Sequence, residues 1–102
     1  MKRYRVGFSR VAAAQVDTIE SWWRENRPAA PEMFLSELDA AVRLLETSPM
    51  IGKRYPEAPV PEVRRLLIGR SRYHVYWEVN VTSGAVSILA VWYAGRGNGP
   101  RL

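Results

Sequence analysis

The feature that most constrains this chain is a change of hydrophobic period, from alternation to helical spacing and back. Lys2, Tyr4, Val6 and Phe8 alternate with Arg3 and Arg5, the period of a short strand. Ser9 follows where a helix cap is favoured, and Ala12, Val16, Ile19 and Trp23 recur at helical spacing through Arg10–Asn26. Arg27-Pro28-Ala29-Ala30-Pro31 breaks the pattern. A second stripe, Phe34, Leu38, Ala41, Val42 and Leu45, predicts a helix from about Pro31 to Thr47, with Glu37, Asp39 and Arg43 facing water. Ser48–Pro61 holds four prolines and a glycine and reads as a loop. Strand periodicity then returns in Glu62–Ile68, Ser71–Val79 and Ala85–Ala94, joined by a turn near Gly69 and by Thr82-Ser83-Gly84. The last of these is almost wholly apolar and is expected to be central and buried. The glycine-rich tail, Gly95–Leu102, reads as a loop.

The expected fold is α+β: an N-terminal strand, a helical hairpin, then a three-stranded antiparallel meander, in a single domain spanning residues 1–102. Helices grouped on one sheet face leave the other face partly open. With 47% apolar and 25% charged residues, the composition is that of a globular chain. There is no cysteine and one histidine, so disulfides, thiolate sites and multi-histidine metal sites are excluded. No cofactor or metal is expected. The longest apolar run, Ala85–Ala94, broken only by Ser87, is far short of the roughly 20 residues that span a bilayer. No leader pattern is visible at the start, so a cytoplasmic location is expected.

Charge separates the two halves. Residues 1–50 hold seven basic and seven acidic side chains, whereas residues 51–102 hold eight basic and three acidic ones and carry the whole net +5. A basic face of this kind suits nucleic acid or an acidic protein.

The open face carries the candidate chemistry. In Ser71–Val79, alternation sets Tyr73, Val75, Trp77 and Val79 under the helices and Arg72, His74, Tyr76 and Glu78 on the other side. One of Arg64 and Arg65 joins that row, and Arg96 follows the last strand. Metal-free RNA cleavage needs a base, an acid and a cation for the phosphorane charge. His74 or Glu78 could supply the base, His74 or Tyr93 the acid, and Arg65, Arg72 or Arg96 the cation. Each has a plainer role: His74 as a cross-strand partner, Arg72 with Glu78 as an ion pair, Arg64 and Arg65 as solvated charges. Trp22 and Trp23 are adjacent on the first helix, so only one can face the core fully, and the other is a candidate anchor for a protein partner. Gly95-Arg96-Gly97-Asn98-Gly99 has no helix after it and is not a phosphate loop. Asn80-Val81-Thr82 is a glycosylation sequon without an export signal beside it.

Several segments together resemble a known family: Leu45-x-x-x-Pro49-x-x-Gly52, then Val63-Arg64-Arg65-Leu66-Leu67-Ile68-Gly69, then Tyr73-His74-Val75-Tyr76-Trp77, and a final Ile88–Gly97 run with an arginine at its end. The order is similar to that of the RelE/ParE superfamily of bacterial type II toxins, from Tyr4 to Arg96. The resemblance implies the same sheet and hairpin, and an acidic, partly disordered, DNA-binding antitoxin that wraps and neutralises the toxin. It implies one of two targets: ribosome-bound mRNA, cut by RelE-like endoribonucleases, or DNA gyrase, inhibited by ParE-like members without chemistry of their own. An inactive antitoxin-binding module is a third reading. A nuclease would use Arg65, His74 and Arg96 as catalytic residues. Arg64, Arg72 and Tyr93 would contact the target or nucleic acid, and Trp22 and Trp23 the antitoxin. The tail supplies neither tyrosine nor histidine, and the paired lysines of nuclease members are reduced to Lys53-Arg54. These departures favour the ParE-like side.

Overall fold

The computed structural model describes residues 2–56, 58 and 62–102. Strand β1 (Arg5–Phe8) leads into helix α1 (Arg10–Asn26), whose cap is Ser9: its hydroxyl accepts from the Ala12 amide at 3.1 Å. Helix α2 (Met33–Thr47) starts two residues later than the periodicity suggests, because Pro31 and Glu32 belong to the preceding turn. Strands β2 (Lys53–Arg54), β3 (Arg64–Ile68), β4 (Tyr73–Asn80) and β5 (Ala85–Tyr93) follow, and a 3₁₀ turn at Ala94–Arg96 leads into the tail. The part of the expected loop at 57 and 59–61 lies outside the described residues.

The strands form one five-stranded sheet in the order β1-β5-β4-β3-β2. β3, β4 and β5 are the expected antiparallel meander. Two features add to it. β1 pairs in parallel with the first half of β5, from Arg5 opposite Ala85 to Phe8 opposite Ile88. Lys53–Arg54, expected in a loop, pairs antiparallel with β3 as an edge strand. β5 is interior, as its apolar run implies, but β4 holds the middle position.

Both helices cover one sheet face. Phe34, Leu38, Ala41 and Leu45 of α2 and Ala12 and Trp23 of α1 pack on Val75, Trp77, Val86, Ile88 and Val91. The Leu-x-x-x-Pro-x-x-Gly segment closes the hairpin onto this core. Leu45 is fully buried, the Pro49 carbonyl accepts from the Trp77 indole N–H at 2.8 Å, and Gly52 turns with φ +78° against the Arg65 carbonyl.

The other face is less open than the alternation implies. A bulge shifts the β4–β5 register: Tyr76 pairs with Ala90 and Trp77 with Ile88, leaving Leu89 unpaired. It switches β5 from Val86 and Ile88 on the helix side to Val91, and turns Leu89, Ala90 and Trp92 to the opposite side. There they join Tyr55, Val63, Tyr76 and Leu102 in a second small core. Tyr76, expected in an exposed polar row, is therefore 1% exposed.

Candidate functional site

Two concavities flank the C-terminal end of β5. The larger, a groove of about 1060 Å³, runs between α1 and the β3–β4 turn. Its walls are largely apolar, with Ile19, Trp23, Met33, Tyr73 and Val91 among them, and four arginines line it: Arg27, Arg70, Arg72 and Arg96. The groove exists because β1 covers β5 only as far as Ile88. Beyond that point α1 serves the strand's free edge: Ser9 Oγ donates to the Leu89 carbonyl at 3.3 Å, and Gln15 Oε1 accepts from the Val91 amide at 2.8 Å.

The turn that presents Arg70 and Arg72 is tied to α2 by one carboxylate. Glu37 accepts from the Arg70 amide at 2.7 Å, the Ser71 amide at 2.9 Å and the Ser71 hydroxyl at 2.5 Å. Burial alone would raise its pKa, but these hydrogen bonds, with the Arg70 charge, outweigh burial and hold the carboxyl below its ordinary value. The expectation that Glu37 faces water is thus corrected: its position beside the apolar stripe aims it at the turn. Gly69 leaves the carboxylate room, since a Cβ there would collide with it. Arg72 occupies the left-handed region at φ +61°, so it belongs to this turn and not to the β4 row. Among the described residues, the ion pairs are Arg3–Glu46, Arg24–Glu20 and Arg43–Asp39, and Arg72 with Glu78 is not one of them.

Trp22 and Trp23 divide as their adjacency requires. Trp23 is 7% exposed, in the groove wall, and its indole N–H has no hydrogen-bond partner among the described residues. Trp22 is 44% exposed at the groove edge, with the Arg27 guanidinium 5.3 Å from its ring centroid.

The smaller cavity, about 460 Å³, lies on the opposite sheet face and is lined by Tyr55, Arg65, His74, Tyr76 and Trp92 with the tail at Gly97–Gly99. The register sets Arg65 opposite Tyr76 on this face and Arg64 opposite Trp77 on the helix side, so Arg65 is the one that joins His74. Arg65 lies 5.5 Å over the Tyr55 ring. The tail is held against this face by the Trp92 indole, which donates to the Asn98 carbonyl at 2.8 Å, and by Gly99, which packs too tightly on the Tyr55 hydroxyl for any Cβ. Burial lowers the His74 pKa, and the Arg65 and Arg72 charges lower it further, so the imidazole is neutral near pH 7. In that form it has one nitrogen free to accept a proton, the state a general base needs.

Arg65 and His74 thus share one cavity, whereas Arg96 lies 4.3 Å over the Trp92 ring and lines the groove. Tyr93, 45% exposed, lines both. Glu78 pairs across to Ser87, outside either concavity. Sequence reasoning missed Gln15, Glu37 and Arg70. The only available signal was the run of small, polar and charged residues at Gly69–Ser71, a turn with successive free amides.

The architecture is that of a solved toxin fold. The chain superposes on a chromosomal ParDE toxin–antitoxin structure from P. aeruginosa with a TM-score of 0.71, at 22% identity over 89% of this chain and 96% of that one. It also superposes on a free E. coli RelE toxin variant with a TM-score of 0.59, at 17% identity over 93% of this chain and 87% of that one. The E. coli RelBE toxin–antitoxin complex gives a TM-score of 0.55, at 22% identity over 91% and 99%. No curated protein matches the sequence significantly. The model of the ParE toxin family of type II toxin–antitoxin systems, parDE, matches residues 6–97, and the chain belongs to that family.

Proposed function

We propose that an antitoxin neutralises this toxin by seating an acidic amphipathic segment in the arginine-lined groove, and that the toxin acts by binding DNA gyrase without chemistry of its own. The observation that carries the first part is the groove itself: an apolar wall for one helix face and four guanidinium groups for the carboxylates of its flanks. Trp22 is the exposed aromatic anchor at its edge. The tail lying across the smaller cavity, and the absence of Arg96 from that cavity's lining, support an inhibitor over a ribonuclease. A cytoplasmic site of action fits this reading; no helix among the described residues is long and apolar enough to cross a membrane.

Induction in a bacterial host, with pulse-labelling of DNA and protein synthesis, tests the target. DNA synthesis is expected to stop first. If protein synthesis stopped first, and an Arg65→Ala/His74→Ala variant no longer stopped it, the RelE-like reading would replace this one.

A further inference from the structure

The sheet has two edges, and they are guarded unequally. β2 ends the sheet with Lys53 and Arg54, charged side chains of the kind that keep foreign strands from an edge. β1, the other edge, reads Arg5-Val6-Gly7-Phe8, with no lysine, proline or bulge in its interior. Its pairing with β5 fixes which backbone groups are spent. The Arg5 and Ser9 amides donate to the Gly84 and Ile88 carbonyls, each at 2.9 Å. Parity then turns the amides and carbonyls of Val6 and Phe8 outward, and neither residue has an outward backbone partner among the described residues. Phe8 is 40% exposed. Gly7 is exposed too, its φ is not positive, and a Cβ there would meet nothing within 4 Å. Nothing within the chain therefore requires glycine at this place. A glycine inside a strand weakens it, and often marks the close approach of another backbone.

We propose that the β1 edge pairs antiparallel with the β1 edge of a second copy of this chain, about a two-fold axis at Gly7. The edge is complementary to itself in this register. With Gly7 opposite the partner's Gly7, Val6 lies opposite the partner's Phe8 and Phe8 opposite the partner's Val6. Each of these pairs exchanges both of its hydrogen bonds, so every outward group of Val6 and Phe8 is satisfied in both copies. Shifting the register breaks the match. One direction sets Phe8 against Tyr4, whose amide is already held by the Glu46 carbonyl at 2.7 Å, and the other sets Val6 against Arg10 in α1. At the axis the pair is not hydrogen-bonded, and its Cα atoms come within about 4.5 Å, an approach that Gly7 leaves unobstructed. On the helix side, where Val6 packs, each Phe8 ring meets the partner's Val6, an aromatic and β-branched pair that favours strand association. Arg5 falls opposite the partner's Ser9, so no like charges face each other across the seam. No β1 residue lines the groove, so the pairing does not depend on the antitoxin reading. A seam of four residues buries less than the about 1,200 Å² of stable complexes. The dimer is therefore weak, with a Kd between about 10 μM and 1 mM.

Sedimentation equilibrium of the full chain across that concentration range is expected to show monomer and dimer in exchange. Amide exchange at Val6 and Phe8 should slow as concentration rises, while Arg5 and Gly7 stay protected throughout. Gly7→Lys sets two ammonium groups face to face at the axis, yet meets open space in the single chain. It should abolish the dimer and keep the melting temperature. Gly7→Asp should do the same alone, and an equimolar mixture of the two variants should restore association. Phe8→Ser, at an exposed position, should weaken association several-fold. A chain that stays monomeric throughout overturns the proposal. So does association that Gly7→Lys leaves unchanged, a charge-paired mixture that fails to associate, or association that Trp22→Ala abolishes, which would place the contact at the groove. Protection of the Val6 and Phe8 amides only when the cognate antitoxin is added would assign the edge to the antitoxin and overturn the proposal as well.

Discussion

The Glu37 carboxylate of α2 accepts the Ser71 hydroxyl at 2.5 Å and the Ser71 amide at 2.9 Å, joining the helical hairpin to the turn between two strands. Because the same carboxylate also holds the Arg70 amide, one side chain sets both the packing of α2 and the placement of two groove arginines. Replacing it with Ala leaves two backbone donors and a hydroxyl without their acceptor. Hydrogen bonds to a charged group are each worth about 1.5–3 kcal/mol, so Glu37→Ala is expected to cost on the order of 2–4 kcal/mol in chemical denaturation. The folded carboxyl has a lowered pKa, so its contribution is complete above the unfolded value, about 4.3, and is lost as pH falls through the folded value. Glu37→Gln should remove that acid-side dependence while keeping one acceptor.

Gly52 meets a harder neighbour. A Cβ there would lie 2.5 Å from the Arg65 carbonyl oxygen, a backbone atom that cannot rotate away, and its φ of +78° disfavours any L side chain. Gly52→Ala is expected to cost about 1–3 kcal/mol and to loosen β2 from β3. Slower amide exchange is the normal state of such a pairing, so faster exchange at Lys53 and Arg54 with an unchanged core is the outcome to look for. A variant as stable as the wild type would show that the loop shifts freely.

How much of this was legible in the residues depends on the range of the interaction. α1 could be bounded from Ser9 and its stripe because capping and helical packing are local. The face of His74 followed from parity within β4, but which of Arg64 and Arg65 joins it was decided only by the β3–β4 register. Parity failed where the chain departs from it. Ile88 to Trp92 are all apolar and carry no mark of the bulge at Leu89, which is set by the register against Tyr76 and Trp77. Tyr76 is buried by Tyr55, Val63 and the far end of the tail, all remote in sequence. Glu37 looked solvated because its partners lie 33 and 34 residues away. Arg96 could not be assigned to a face once the 3₁₀ turn at Ala94 ended the strand's alternation.

His74 is the chain's single histidine, so its titration can be followed without overlap. Its folded pKa lies below the ordinary value, first through burial and then through Arg65 and Arg72. The unfolded chain therefore takes up a proton more readily. Stability is full above about pH 6.5 and declines as pH falls through the folded value. Arg65→Gln should move the imidazole shift part of the way back, since burial, the larger cause, remains. A proton NMR titration in which the Arg65 variant reached the ordinary value would show that the charge, not burial, dominates.

Arg72 allows a clean test of the groove, because its backbone already adopts the left-handed conformation that glycine favours. Arg72→Ala removes the guanidinium and keeps the Cβ strain of the wild type, whereas Arg72→Gly removes the guanidinium and relieves that strain, so the pair separates charge loss from backbone relief. If an acidic antitoxin segment occupies the groove, Arg72→Gly should weaken its binding several-fold at low salt and much less at high salt, where the wild-type advantage is screened. Trp22→Ala should behave differently. Loss of an aromatic anchor costs about 2 kcal/mol or more, close to thirty-fold in affinity, and this loss should persist at high salt because its origin is apolar burial. Isothermal titration with the cognate antitoxin, at two salt concentrations, separates the two effects. Unchanged affinity in both variants would place the antitoxin elsewhere on the fold.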